Sequence, residues 1–352
     1  MYAIVMAGGG GTRLHPLSRP ERPKPFLPLL GDQTLIQATV ARLPTTDVTV
    51  VTDARYETLV RDQLPDTRLL LEPRGRNTAA AIALATVAID RPDDEVMLVV
   101  PADAHVTDPE QYGDILRRAA EGLATGAFDL EAPLVTLGTT VHHPATDYGY
   151  LIPDLERHAE VEGLTAYPLR RFEEKPNERR AHDLQKEAGV AWNAGIFLWR
   201  RGAIRAALER YTSLIQLLEP SIGSPTLLDH AYEQLKPVSI DYAVMEGAAS
   251  SGGVVMGSMD VGWSDLGTWT ALLDALGAGG EGSVVQAGET VNVTTDDRVV
   301  RRKDGKLGII QPSEAGSMTA SQTIAVLRGV TDIDRVIALL ERCGRPDPVV
   351  AG

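Results

Sequence analysis

Residues 7–30 read Ala7-Gly8-Gly9-Gly10-Gly11-Thr12-Arg13-Leu14-His15-Pro16-Leu17-Ser18-Arg19-Pro20-Glu21-Arg22-Pro23-Lys24-Pro25-Phe26-Leu27-Pro28-Leu29-Leu30, directly after the apolar run Tyr2-Ala3-Ile4-Val5-Met6. A short apolar run without polar alternation predicts a strand buried on both faces of a parallel sheet. Without Cβ atoms, Gly8 to Gly11 let backbone N–H groups approach an anion and tolerate positive φ. Arg13 and Lys24 follow, and Pro23 and Pro25 stiffen the backbone around Lys24. A glycine bed with a forked guanidinium and a point-charge ammonium suits a polyphosphate ester. The stretch therefore predicts an α/β protein that handles phosphate where its first strand ends.

Two other glycine loops do not fit. A Walker P-loop needs Lys-Ser/Thr directly after its glycines. The Rossmann fingerprint needs a third glycine where Arg13 stands, so hydride chemistry loses support. A bare glycine-rich turn accounts for Gly8–Gly11 alone but not for the whole string.

The chain has 352 residues, long for one domain and short for three. Its net charge of −14 argues against a nonspecific nucleic-acid surface, yet permits a locally basic nucleotide site. The single cysteine, Cys343, permits no intramolecular disulfide and fits a reducing cytoplasm. Its place at the end of a predicted helix marks it as a packing residue. No basic stretch followed by a secretory apolar core opens the sequence, and no run reaches membrane-spanning length, so a cytoplasmic protein off the membrane is expected.

Strands are expected at 48–52, 68–71 and 96–100, alternating with helices at 55–64, 77–90 and around Tyr112 to Leu123. This βα repetition predicts a mostly parallel, Rossmann-like sheet flanked by helices, with ligands beyond the carboxyl ends of the strands. More hairpin character follows, with strands near 133–138, 147–152, 168–174 and 194–200. Helices are expected at 177–188, 202–218, 226–235 and 265–276. Gly277-Ala278-Gly279-Gly280-Glu281-Gly282 reads as a connection. The expected division is a catalytic domain over 1–276 and a small β-rich domain over 283–352, ending in a helix with Ile333, Val336, Ile337 and Leu340 on one face. Val285/Val291 and Val293/Val299 show a weak six-residue spacing.

Three further strings carry candidate chemistry. In Leu71-Glu72-Pro73-Arg74-Gly75-Arg76-Asn77-Thr78-Ala79, Asn77 or Thr78 suits a helix cap. The same turn suits base recognition: Glu72 or turn carbonyls can accept from a base's N–H donors, and Asn77 or backbone N–H groups can serve a base carbonyl. In Val99-Val100-Pro101-Ala102-Asp103-Ala104-His105, an aspartate directly after a buried strand offers a hard oxygen for Mg²⁺, or an Asx turn. In Gly262-Trp263-Ser264-Asp265-Leu266-Gly267-Thr268-Trp269, Asp265 suits a helix N-cap. No Gly-x-Ser-x-Gly string supports a covalent nucleophile. His142-His143 lacks zinc spacing and reads as solvated surface.

The opening string resembles the signature of sugar nucleotidyltransferases, in particular the mannose-1-phosphate guanylyltransferases. Gly8-Gly9-Gly10-Gly11-Thr12-Arg13-Leu14-His15-Pro16-Leu17-Ser18 and Pro23-Lys24-Pro25-Phe26 carry the likeness, with His15 where many relatives have an aromatic residue. Glu72-Pro73-Arg74-Gly75-Arg76-Asn77-Thr78-Ala79 resembles the guanylyl-type turn, and Pro101-Ala102-Asp103 resembles a Pro-Ala-Asp-His segment whose histidine is here Ala104. Tyr148-Gly149-Tyr150, Phe172-Glu173-Glu174-Lys175-Pro176, Trp192-Asn193-Ala194-Gly195 and Ser239-Ile240-Asp241-Tyr242-Ala243-Val244-Met245-Glu246 resemble the sugar-phosphate half.

The resemblance implies nucleotide contacts from Ala7, Gly8, Gly9, Gly10, Gly11, Thr12, Arg13, Lys24, Glu72, Arg76, Asn77, Thr78 and Asp103. It implies sugar-phosphate contacts from Tyr148, Gly149, Glu174, Lys175 and Asn193, with Mg²⁺ on Asp103 and Asp265. Arg13, Lys24, Asp103 and Asp265 are the expected catalytic set. The implied reaction takes GTP and mannose 1-phosphate to GDP-mannose and pyrophosphate. The implied tail is a left-handed β-helix helping a homodimer form. Alternatives are a thymidylyl- or uridylyltransferase acting on glucose 1-phosphate, a heptose-phosphate guanylyltransferase, and a noncatalytic nucleotide-sugar-binding regulator.

Overall fold

The apolar runs that open the chain do pair side by side. The computed structural model describes residues 1–9, 14, 17–278, 284–286, 290–291, 298–303, 306–310, 318–319, 323–328 and 332–344. Ten strands build one sheet: β1 (Tyr2–Met6), β2 (Val48–Asp53), β3 (Arg68–Glu72), β4 (Val96–Pro101), β5 (Leu134–Thr140), β6 (Tyr150–Pro153), β7 (Ala159–Val161), β8 (Leu164–Glu173), β9 (Ala191–Arg200) and β10 (Val254–Ser258). Their order is β3-β2-β1-β4-β9-β5-β10-β8-β6, with β7 on β8. β1 runs parallel to β2, with Ala3 opposite Val48, and to β4, with Val5 opposite Val100. Met97 and Val99 join one apolar cluster, and Leu98 and Val100, which alternate with them, are equally buried, so β4 is covered on both faces as its unbroken apolar run requires.

The sheet is mixed rather than mostly parallel. β9 runs antiparallel to β4 and β5, and β8 runs antiparallel to β10. The reversal has a consequence for function. Because Val99 faces Phe197, the start of β9 lies where β1 to β4 end. Tyr150 pairs with both Trp192 and Glu173, so β6 begins and β8 ends at that same edge. The helices Asn77–Ala88, Arg201–Tyr211, Leu214–Leu218 and Pro225–Gln234 bury Ile82, Leu84, Ile204, Leu208, Ile215 and Tyr232 against Tyr2, Ile4 and Trp199 of the sheet.

Several elements differ from expectation for local reasons. The helix expected over 202–218 breaks where Thr212 Oγ1 donates to the Leu208 carbonyl (2.6 Å) and accepts from Leu214 N (3.1 Å). The helix expected from 265 begins at Trp269, capped by Thr268, whose Oγ1 accepts from Ala271 N at 3.1 Å. β10 and the helix Leu35–Ala41 were not expected.

Internal contacts group the chain into two units whose segments alternate along the sequence. One comprises 1–9, 39–102 and 106–263 and contains the ten-stranded sheet. The other comprises 10–38, 103–105 and 264–352. The latter has its own core, in which Leu14, Leu17, Leu27, Leu29 and Leu35 pack with Leu266, Trp269, Leu272 and Leu273 and with Val336, Leu339 and Cys343 of the helix Ile333–Gly344. Burial pushes the Cys343 thiol up to about 11, which makes it an inert packing residue. The described tail strands pair antiparallel: Thr323–Arg328 lies between Val284–Gln286 and Arg298–Lys303, which also pairs with Lys306–Ile310. A β-helix stacks its coils in parallel, and no such stacking occurs among the described strands; Val293, half of one spacing pair, lies outside them. Among the described residues, no helix is long and apolar enough to cross a membrane.

Candidate functional site

Lys24 opens a 3₁₀ turn, Lys24–Phe26, that its flanking prolines pre-set. The residue is only 6% exposed. Its Nζ lies 2.8 Å from Asp103 Oδ2 and donates to the main-chain oxygen of Asp265. Three motifs far apart in the chain thus meet at one ammonium. A two-residue antiparallel bridge holds the two aspartate loops together: His105 N donates to Ser264 O (2.8 Å) and Ser264 N to His105 O (3.0 Å). His105 thus serves the site through its main chain. Asp265 is not a helix cap; its Oδ1 accepts from Gly267 N at 2.9 Å in an Asx turn. A Cβ at residue 267 would sit 2.5 Å from Asp265 Oδ2, so that turn needs the glycine. The donor set fits a hard divalent cation: carboxylates on two clamped loops, with no soft ligand. No cluster of three potential metal-ligating side chains occurs among the described residues. Gly10, Gly11, Thr12 and Arg13 lie outside the described residues.

The carboxyl ends of β1, β2 and β3 assemble a second set. Glu72 is buried, and a Cβ on Gly8 would stand 3.3 Å from Glu72 Oε2, so the carboxylate faces the first glycines after β1. Asp53 accepts from Gly75 N at 3.0 Å, which pins the turn. Burial pushes the Glu72 carboxyl up to about 7, against the hydrogen bond from Tyr232 and assisted by the Asp53 charge. Neither Asn77 nor Thr78 caps the following helix in the expected way. Asn77 sits at φ 68° with Oδ1 accepting from Thr78 N (2.8 Å), and Thr78 Oγ1 accepts from Ile240 N (2.8 Å). Arg76 donates from Nε to the Tyr232 carbonyl at 2.8 Å.

The third set surrounds the ends of β8 and β9. Lys175 Nζ pairs with Glu174 Oε1 at 3.0 Å, and Lys175 adopts φ 45°, a strained conformation for a non-glycine residue. Burial alone would lower the Lys175 ammonium, but Glu174, Asp241 and Tyr242 outweigh it and hold the group above its ordinary value. A Cβ on Gly149 would lie 2.5 Å from Glu174 Oε2 and 3.0 Å from the Phe172 ring, so only glycine fits beneath that carboxylate. Asn193 is held on both ends of its amide. Nδ2 donates to Asp241 Oδ1 (2.9 Å), while Oδ1 accepts from Thr136 Oγ1 (2.7 Å) and Gly195 N (3.2 Å). Asp241 opens a π-helical turn, Asp241–Met245, a form enriched at functional sites. Burial and then the charge of Glu174 push its carboxyl up to about 7. Tyr148 lies tilted against Trp192, with ring centroids 4.9 Å apart, and edge-on to Trp263 at 5.8 Å.

Sequence reasoning missed Asp53, Thr136 and Tyr232. Asp53 carried a signal, since it ends a buried strand much as Asp103 follows one. Thr136 lies inside a strand and Tyr232 inside a helix, where polar residues give no such sign. His142 and His143 are exposed as expected, although both rings pack edge-on against Trp192, with centroids 5.9 and 4.8 Å away.

Residues 2–279 match the nucleotidyl transferase family model. The mannose-1-phosphate guanylyltransferase of Escherichia coli K12 is 31% identical over 98% of this chain and 74% of its own length. The alginate biosynthesis protein AlgA of Pseudomonas fluorescens is 38% identical over 77% of this chain and 57% of its own. A crystal structure described as a mannose-1-phosphate geranyltransferase from Thermus thermophilus superposes with a TM-score of 0.69 at 29% identity, covering 89% of this chain and 95% of that one.

Proposed function

The chain belongs to the nucleotidyl transferase family, and from that premise we propose that it makes GDP-mannose and pyrophosphate from GTP and mannose 1-phosphate. An oxygen of the sugar phosphate attacks the α-phosphorus in line, opposite the pyrophosphate leaving group. The attacker is already anionic, so no general base is required. The task is to bring two anions together and hold them in line, which is positioning plus electrostatic stabilisation.

Lys24 meets the α-phosphoryl oxygens, and Arg13 takes the β- and γ-phosphates. Asp103 and Asp265 would hold Mg²⁺, which when bound neutralises phosphate charge. Glu72 and the turn through Arg76, Asn77 and Thr78 read the guanine edge. Lys175 receives the sugar phosphate. Glu174 accepts from sugar hydroxyls over the open Gly149 backbone, and Asn193 holds Asp241 beside it.

The observation that carries this reading is the buried Lys24 ammonium bound at once by the Asp103 and Asp265 loops. A lysine so placed is fixed before substrate arrives and exchanges a carboxylate partner for phosphate oxygens when it does. The test is pyrophosphate release from each of the four nucleoside triphosphates combined with mannose, glucose and heptose 1-phosphates. GTP with mannose 1-phosphate should turn over fastest. Preference for TTP or UTP with glucose 1-phosphate would overturn the substrate assignment, and no release from any pair would overturn the catalytic one.

A further inference from the structure

Glu72 is held from outside its own motif. Tyr232, fully buried in the helix Pro225–Gln234, donates from its hydroxyl to Glu72 Oε1 at 3.2 Å. The other oxygen, Oε2, is the one that faces Gly8. The same helix grips the rest of the turn. Arg74 Nη2 pairs with Asp229 and lies 3.6 Å from Glu233, and Arg76 Nε donates to the Tyr232 carbonyl. The chain just beyond it holds the start of the next helix: Ala79 N donates to Val238 O at 3.2 Å, and Ile240 N to Thr78 Oγ1 at 2.8 Å.

A carboxylate that reads two adjacent N–H donors must be ionised and must keep one orientation. Glu72 is under pressure on both counts. Burial disfavours its charge, and the neighbouring Asp53 carboxylate adds to that. Of the described titratable groups that act on it, Asp53 disfavours the ionised form and Tyr232 favours it, by donating to it. Burial and the Glu72 charge also raise the Tyr232 phenol, so it remains an O–H donor across the working pH range. The phenol therefore fixes one oxygen and leaves the other facing Gly8.

We propose that Tyr232 is a positioning residue for nucleobase selection, orienting the Glu72 carboxylate for the N1–H and 2-amino donors of guanine. It touches no substrate and acts through Glu72. The inference rests on the assignment of Glu72 to base reading made above.

The experiment compares Tyr232→Phe, Glu72→Gln and the double variant in steady-state pyrophosphate release, using GTP and its inosine analogue, which lacks the 2-amino group. Tyr232→Phe should raise KM for GTP about tenfold, the scale of one hydrogen bond to a charged group. It should leave KM for mannose 1-phosphate unchanged and shrink the preference for GTP over ITP. The acid limb of kcat/KM for GTP should move to higher pH, because removing the donor makes Glu72 easier to protonate. In the Glu72→Gln background the Tyr232 change should add nothing further, the mark of a residue that acts through its partner. Full additivity of the two changes, or an unmoved pH limb and an unmoved GTP/ITP ratio, overturns the proposal while leaving Glu72 as the base reader. Unaltered GTP selection in Glu72→Gln overturns instead the base-reading assignment beneath it. If Tyr232→Phe folds poorly, Asp229→Ala with Glu233→Ala loosens the same helix at Arg74, and the same drop in GTP preference is expected; an unchanged ratio counts against the proposal.

Discussion

At the scale of single residues, charge does different work at Lys24 and at Asp241. Lys24 is buried with a carboxylate partner, and its loss removes a cation that the reaction needs at the α-phosphorus. Lys24→Ala should lower turnover by about 10²–10³, by analogy with a deleted oxyanion donor, in pyrophosphate release at saturating substrates. A rate within threefold of the parent would remove Lys24 from the phosphate site. Asp241 carries a cost of the opposite kind. Its folded-state carboxyl sits near 7, whereas an unfolded carboxyl titrates near about 4. Between those values the native chain holds a proton that the unfolded chain has released, so stability falls as pH rises through that window. Asp241→Asn keeps an acceptor for Asn193 Nδ2 and removes the charge. It should melt higher than the parent at pH 8 and converge with it below about pH 4. A lower melting temperature at pH 8 would show that the Asp241 charge is satisfied in the native state. Lys24, Asp103, Asp265 and Lys175 were legible in the sequence because each stands in a short string that carries glycine or proline. The hydrogen-bonded neutral residues Thr136 and Tyr232 were not, since a buried hydroxyl inside a regular element looks like any other core position.

At the scale of elements, the parallel strands were legible because their apolar runs have no other use than a sheet covered on both faces. β10, preceded by Gly252-Gly253 and broken by Gly257, gives no such run, and its place beside β5 is fixed by long-range pairing. The hairpin-rich half shows how tightly its strands specify their glycines. Gly149 lies just before β6 and under the end of β8, where a methyl group would meet both Glu174 and the Phe172 ring. Gly149→Ala should therefore displace the Glu174 carboxylate without breaking the sheet. The expected result is an increase of about tenfold in KM for mannose 1-phosphate, the scale of one charged hydrogen bond, with KM for GTP unchanged. Parallel increases in both KM values would point to a general disturbance of the edge and count against a sugar-side role for Glu174.

At the scale of the whole molecule, the helix Ile333–Gly344 is not an appendage. Its apolar face was visible in the sequence as a helical spacing, but spacing cannot say what covers that face. Val336, Leu339 and Cys343 are buried in one core with Leu27, Leu29 and Leu35, the residues that follow Lys24 in the chain. Arg342 adds main-chain ties, donating from Nε to Pro28 O at 3.4 Å and from Nη2 to Leu29 O at 3.3 Å. The core that seats the Lys24 turn is thus completed by residues from the far end of the sequence, and a cut near residue 276 would expose it. Leu339 is fully buried, and Leu339→Ala should cost about 2–5 kcal/mol through lost contacts and a cavity. Because Asp103, Asp265 and Lys24 belong to that same unit, the damage should reach catalysis: turnover should fall well below the parent's at temperatures where the ten-stranded sheet is still folded. Hydrogen exchange resolves the two possibilities. Amides of Leu27 and Leu29 should lose protection in Leu339→Ala while those of Val5, Val50 and Leu98 keep theirs. Uniform loss of protection across both groups would mean that the chain unfolds as one block and that the tail helix supports the catalytic lysine no more than it supports the sheet.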